Sequence, residues 1–282
     1  MSAIQSVAWT LSGFGDEIDP DPVVQVAVLK ALGASHIEVR SAWGTNVVDL
    51  DDDQLNALAA ILAREGMSVS AVASPIGKVD VALDADLEVT RLRRIIRVAQ
   101  TLRTPNIRVF SFFRGAGVPV ESIRDGVMTR MRLLADLAQK EAVVLLHENE
   151  KDIYGDTPER VLDLVESVGS PALRLAWDNA NFVQVGVRPF SDGYAILRPY
   201  LDYLQVKDAV AETGAVVPAG HGDGQLRETL TALRDDGYTG FASLEPHLAS
   251  AHELGGFSGP TAFGEAARAL GGLLADLGVA SR

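Results

Sequence analysis

Residues 143–149 read Val-Val-Leu-Leu-His-Glu-Asn, and this stretch decides the fold. It is an apolar run of strand length that ends abruptly in Glu148 and Asn149. Three later runs have the same form. LRLAWD (173–178) ends in Asp178, YLQVKD (203–208) carries Gln205, and FASLEPH (241–247) carries Glu245. A carboxylate at the end of an apolar strand is costly unless it is solvated, paired or bound to a cation. Polar endings on four successive strands, three carboxylates and one amide, imply one shared polar site at one rim of a barrel.

Working outward from these runs, strand and helix patterns alternate along the whole chain. VAWTLSGFG (7–15), HIEVR (36–40), SVSAVAS (68–74) and NIRVFSFF (106–113) read as four earlier strands. Between them lie helical runs from Asp21-Pro22 to Leu32, Asp51 to Glu65 and Leu83 to Leu102. Pro22 just inside the first run and Gly33 just past it follow the usual asymmetry of helix ends. Further helices are expected over Val120–Lys140, Thr157–Val168, Asp192–Leu197, Gln225–Asp235 and Pro260–Leu277. Eight strand–helix units imply parallel strands with right-handed crossovers. The expected fold is a single α/β (β/α)8 TIM barrel occupying residues 1–282 as one domain. An open doubly wound sheet is the alternative, but SGFGDE (12–17) lacks the glycine fingerprint after its first strand.

Composition limits the function. The 282 residues carry 25 Lys and Arg against 38 Asp and Glu, a formal net charge of -13. Such a surface repels a phosphate backbone, so no nucleic-acid partner is expected. There is no cysteine, which excludes disulfides and thiolate zinc sites. The N-terminal residues lack the basic and apolar regions of a signal peptide, and no apolar run approaches the ~20 residues of a bilayer span. A cytoplasmic location with no membrane partner is the expectation. Oligomeric state stays open, a homo-oligomer included.

In barrels of this kind the chemistry sits at the C-terminal ends of the strands. Side chains alternate along a strand, so if Gln205 points inward Lys207 does too, and His247 shares a side with Glu245. His147 then points outward, and Trp177 and Phe112 are expected in the core. Two unit charges ~4 Å apart repel by ~4 kcal/mol at an effective dielectric near 20. Three clustered carboxylates therefore need a proton or a cation among them. A lone acid at a strand end is usually a solvated loop residue or a helix cap; polar endings on four successive strands, three of them acids, favour a divalent-metal site. The proposed ligands Glu148, Asp178, Gln205 and Glu245 offer only oxygen, which suits Mn²⁺ or Mg²⁺ ahead of Zn²⁺ or Co²⁺.

HENEKDIYGDTPERV (147–161), AWDNANFVQVG (176–186), YLQVKDA (203–209), PAGHGDG (218–224) and SLEPH (243–247) resemble the xylose-isomerase-like barrel superfamily of sugar phosphate isomerases and epimerases. The resemblance covers nearly the whole chain and implies one divalent metal held by Glu, Asp, His and Glu. Glu148, Asp178 and Glu245 match three of these. Gln205 stands where relatives have His, and His221, in the glycine loop, is the other residue that could complete the site. Asn181 stands where sugar epimerases have a substrate-contacting His. The implied activity is metal-dependent isomerisation or epimerisation of a keto sugar or related polyol, with Glu148 and Glu245 as base and acid. Lys207 and His221 would donate to substrate oxygens, Asn181 would contact substrate, and Glu38 would hold a hydroxyl. A dehydratase or lyase on a keto sugar or keto inositol shares the first proton abstraction. A non-catalytic sugar-binding barrel with a decayed metal site is the alternative of a different class, and Gln205 is its support.

Overall fold

Runs that are apolar on both faces need cover on both sides, and parallel strands between helices supply it. The computed structural model describes residues 7–249 and 257–282. Eight parallel strands form the barrel: β1 (Ala8–Gly13), β2 (His36–Val39), β3 (Ser68–Ala73), β4 (Asn106–Val109), β5 (Val144–Glu148), β6 (Leu173–Asp178), β7 (Leu201–Val206) and β8 (Phe241–Leu244). Each pairs with the next from β2 to β8, and β8 returns to β1 with Thr10 opposite Phe241. A parallel bridge between Phe14 and Glu38 joins β1 to β2 and closes the ring. The chain's end adds a short strand, Ala280–Ser281, beside the start of β1.

The helices are α1 (Pro22–Ala31), α2 (Asp52–Glu65), α3 (Ala85–Thr101), α4 (Arg124–Lys140), α5 (Pro158–Val168), α6 (Asn179–Gln184), α7 (Leu226–Asp235) and α8 (Gly259–Asp276). Their starts are written in the sequence. Asp51 and Gln54 form a reciprocal capping box at α2, and Asp21 accepts from the Val23 amide at α1. Each such cap is worth about 1 kcal/mol. The expected helix over Val120–Lys140 begins as a 3-10 turn, Val120–Ile123, before α4. The expected helix over Asp192–Leu197 is a π turn, Pro189–Tyr194, followed by a short helical stretch, Ala195–Leu197. The wide turn lets Gly193 pass close to Pro158 and Trp177, where a Cβ would come within 2.9 Å of the proline ring. Helix α6 was not anticipated. Asp178 caps it by accepting from the Asn181 amide at 2.9 Å.

The apolar core lies between strands and helices, and Trp9, Ile37, Leu145, Leu175, Trp177 and Leu204 all belong to it, with Phe112. Inside the barrel the filling is smaller and more polar. Ala71, Leu146, Ala176 and Tyr203 form its apolar part. Ser12, Ser70 and Tyr203 link their hydroxyls at 2.6 and 2.8 Å, and Tyr203 also donates to Glu38. This layer is the floor on which the mouth of the barrel is built.

Candidate active site

Glu148 and Asp178 are the last residues of β5 and β6, and Glu245 follows β8 directly. Each offers a carboxylate oxygen, and the three oxygens lie within 4.8 Å of one another. All three side chains are buried. Lys207, just past β7, sets its ammonium 3.0 Å from Asp178 Oδ2 and 3.2 Å from Glu245 Oε2. Tyr203, Gln205 and Lys207 thus line the interior in the alternation expected of a strand.

Two arginines hold the two glutamates. Arg108, on β4, donates to Glu148 Oε2 at 2.8 Å. Arg40, just past β2, donates to Glu245 Oε1 at 3.2 Å and to Asp16 at 2.8 Å. Both guanidinium groups lie over the buried Phe14 ring, at 5.0 Å for Arg40 and 5.6 Å for Arg108. Neither arginine was singled out from the sequence, although alternation carried the signal. Arg40 is two residues after the inward Glu38, and Arg108 alternates with the apolar Ile107 and Val109.

The charges of the site follow from burial and these partners. Burial pushes Glu148 upward in pKa, and Arg108 only partly opposes it. Asp178 is pushed up to about 7 by burial, against the pull of Lys207. Burial also works against ionisation of Glu245, but Lys207, His247 and Arg40 outweigh it and hold Glu245 well below its ordinary value. Burial disfavours the Lys207 ammonium, yet Asp178 and Glu245 keep it charged far above neutral pH.

His247 follows Glu245 on the same side. Its Nε2 lies 3.0 Å from Glu17 Oε1 and 3.4 Å from Glu245 Oε1. Its backbone sits in the left-handed region at φ 46°, a conformation unfavourable for a side-chain-bearing residue. Glu17 fixes it there by accepting from the His247 amide at 2.8 Å and from the Ser258 hydroxyl at 2.9 Å.

Asn181, expected to meet substrate, is buried and donates to Glu148 Oε1 and the Asn149 carbonyl, both at 2.9 Å. It orients a site carboxylate. Glu38 is fully buried beneath the mouth, accepts from Tyr203 at 2.8 Å and Gln205 at 3.2 Å, and is pushed up to about 7 by burial. His221 is exposed and joins neither cluster of potential ligands among the described residues. Its loop is folded around Asp208, whose carboxylate accepts from the amides of Gly220, Gly222 and Gly224. His147 points away from the mouth, toward Ser111 at 3.0 Å, and burial lowers it to about 3.

The donor set fits a hard divalent cation. Three carboxylate oxygens converge, and Gln205 Oε1 is buried without a hydrogen-bond partner. Every donor is oxygen, as Mg²⁺ and Mn²⁺ prefer. An ion there would share Asp178 and Glu245 with the Lys207 ammonium.

Comparison with known proteins agrees with this architecture. A 2-epi-5-epi-valiolone 7-phosphate 2-epimerase of Actinoplanes sp. strain SE50/110 is 30% identical over 216 residues, covering 72% of this chain and 77% of that one. A 3-dehydroshikimate dehydratase of Bacillus anthracis is 26% identical over 185 residues, 59% of this chain and 65% of that one. The crystal structure of a xylose isomerase-like TIM-barrel protein from Mycobacterium smegmatis, in complex with magnesium, superimposes with a TM-score of 0.68 at 21% identity, covering 98% of this chain and 100% of that one. Residues 26–271 match the family model for the xylose isomerase-like TIM barrel, and the chain belongs to that family.

Proposed function

We propose that this chain is a divalent-metal-dependent epimerase or isomerase that moves a proton at the carbon next to the carbonyl of a keto sugar or related polyol. The observation that carries this reading is the convergence of Glu148 and Glu245 from separate strands, each held by its own arginine. Proton transfer at one carbon needs a base and an acid whose pKa values are pushed apart. Lys207, Arg40 and His247 stand beside Glu245, whereas Arg108 is the cation paired with Glu148. That favours Glu245 as the initial base and Glu148 as the acid, the reverse of the order expected from sequence.

Glu148, Asp178, Gln205 and Glu245 would hold the ion, which when bound supplies Lewis-acid polarisation of the carbonyl. Glu245 takes the proton, and the C–H electrons become the double bond of an enediolate. Glu148 returns a proton to the same carbon from the other face, or to its neighbour in an isomerisation. Lys207 donates to the substrate oxygen on which negative charge develops. Asn181, Arg108 and Arg40 keep the two carboxylates in position.

A dehydratase is the second reading, favoured by the buried Lys207 ammonium between Asp178 and Glu245 and by the likeness to the Bacillus anthracis dehydratase. Here the same α-proton goes to Glu245, the β-carbon–oxygen bond breaks as the new double bond forms, and Lys207 protonates the departing oxygen.

One experiment separates the readings. The Mn²⁺-loaded protein is incubated with keto sugars and keto inositols in D₂O and followed by NMR. Deuterium beside the carbonyl with an epimer or isomer as product supports the first reading. An enone with release of water supports the second. Glu245→Gln should lower either rate by at least ~10²-fold, the scale of general acid–base catalysis, when both proteins are compared at equal metal occupancy. Binding of sugars with neither exchange nor elimination would leave the non-catalytic barrel.

A further inference from the structure

The loops after β3 and β5 meet at one side of the mouth. Lys78 reaches across to Glu150, with Nζ 3.1 Å from Oε2. The ammonium also lies 4.2 Å from the centre of the Phe110 ring, and the Arg108 guanidinium lies 4.5 Å from the same ring. Arg108 in turn holds Glu148, so Phe110 connects the Lys78–Glu150 pair directly to the catalytic carboxylate. Glu150 is two residues past Glu148 and within electrostatic reach of Lys207 and Glu245.

Lys78 is rigidly presented. Gly77 has φ 82°, and a Cβ there would lie 2.1 Å from the Phe110 carbonyl oxygen, so only glycine allows the loop to press against residue 110. The Gly77 amide donates to the buried Glu88, and the Phe110 and Phe112 amides donate to Ile76 and Gly77. The pair itself stays accessible, with 37% of the Lys78 side chain and 17% of Glu150 exposed.

We propose that Lys78 and Glu150 form a specificity-determining pair that takes the hydroxyl-bearing arm of an uncharged polyol and rejects a phosphate or carboxylate there. This rests on the reading of the site as one for keto sugars. An ammonium and a carboxylate side by side offer a donor and an acceptor, the complement of neighbouring hydroxyls. An anionic arm would gain Lys78 but meet Glu150, and the three cations inside the mouth are already engaged. Arg40 faces Asp16 and Glu245, Arg108 faces Glu148, and Lys207 faces Asp178 and Glu245. With a formal net charge of -13, the rest of the molecule adds repulsion. The two curated relatives carry names of charged substrates, a 7-phosphate and dehydroshikimate, so the inference separates this chain from both.

The test is titration calorimetry on the Mn²⁺-loaded protein with D-fructose and D-tagatose, each beside its 6-phosphate, and with 3-dehydroshikimate. The free ketoses should bind at least ~10-fold more tightly than their phosphates and than 3-dehydroshikimate, the scale of one charged hydrogen-bonding contact. Glu150→Gln should shrink or reverse that preference by freeing the Lys78 charge. Lys78→Met should weaken the free ketoses ~10-fold and leave the phosphates weak. Tighter binding of any charged member by the wild type overturns the proposal, whether or not Lys78→Met removes it. So does an absence of binding by both free ketoses. The proton-transfer reading fails separately, by lack of solvent deuterium in a ketose that binds.

Discussion

Asp208 should be the most destabilising single acid to neutralise outside the catalytic cluster. Its carboxylate is buried and accepts four backbone amides, from Ala209, Gly220, Gly222 and Gly224, at 2.9 to 3.0 Å. A Cβ at Gly222 or Gly224 would lie 2.5 or 2.6 Å from Asp208 Oδ1, so the loop can close on this carboxylate only with glycine. Ala209 and Gly224 are buried, whereas Gly220 is exposed, so its amide can turn to water if the acceptor is lost. Each buried amide left without a partner costs ~1–3 kcal/mol, giving about 3–4 kcal/mol for Asp208→Ala.

Asp208→Asn is the sharper variant. It keeps the shape but turns one acceptor into a donor that must face amide donors. It should cost at least half as much as the alanine change, about 2 kcal/mol or more. Urea unfolding reads the global loss, and limited proteolysis reads opening of residues 210–224. An asparagine variant with an unchanged midpoint and an uncut loop would show that Asp208 only fills space, and the hydrogen-bond argument would be wrong.

Mn²⁺ or Mg²⁺ should raise the melting temperature and EDTA should reverse it, since an ion that binds only the folded site stabilises it by mass action; no shift with either ion would count against the site. Gln205→His should tighten Zn²⁺ and Mn²⁺ by adding a nitrogen donor, measured by competition with a chelating dye, and unchanged affinity would put Gln205 outside the ligand set. Asp163 is held down to about 2 mainly by Arg124, with burial opposing and Tyr154 and Ser167 adding hydrogen bonds. A lowered carboxylate stabilises above its unfolded pKa and loses that contribution as pH falls through the folded one. Asp163→Asn should therefore cost about 1 kcal/mol at pH 7, discounted for its partial exposure, and the two proteins should converge between about pH 4 and pH 2 in urea titrations. A constant gap across that range would refute the linkage.

The barrel was legible because its signals are local. Each apolar run has strand length, and several helices open on a cap such as Asp51 or Asp21, so the order of elements follows without knowledge of any distant contact. The placement of Glu148, Asp178 and Glu245 at one rim followed in turn, because parallel strands put all their C-terminal ends on the same side. Elements shaped by long-range packing were not legible. The π turn at Pro189–Tyr194 depends on how close Gly193 comes to Pro158; α6 is different, since its cap Asp178 is local but reads in the sequence as a site residue. Nothing in the run of residues around either position outweighs the ordinary helical pattern.

The cations of the site mark a different limit. The interior position of Arg108 could have been read from the alternation of Ile107, Arg108 and Val109. Its pairing with Glu148, 40 residues away, and that of Arg40 with Glu245, 205 residues away, could not. From the sequence, three clustered carboxylates call for a proton or a cation among them. The folded chain supplies much of that neutralisation itself, through Arg40, Arg108 and Lys207. An ion bound there would serve less to hold the carboxylates together than to polarise the carbonyl of the proposed substrate. That division of labour has a consequence for Gln205. An amide donates no charge, and its Nε2 is committed to Glu38 while its Oε1 is left without a partner. Beside carboxylates already paired with three cations, a neutral amide oxygen adds no repulsion, which gives a physical reason for glutamine at this position of β7.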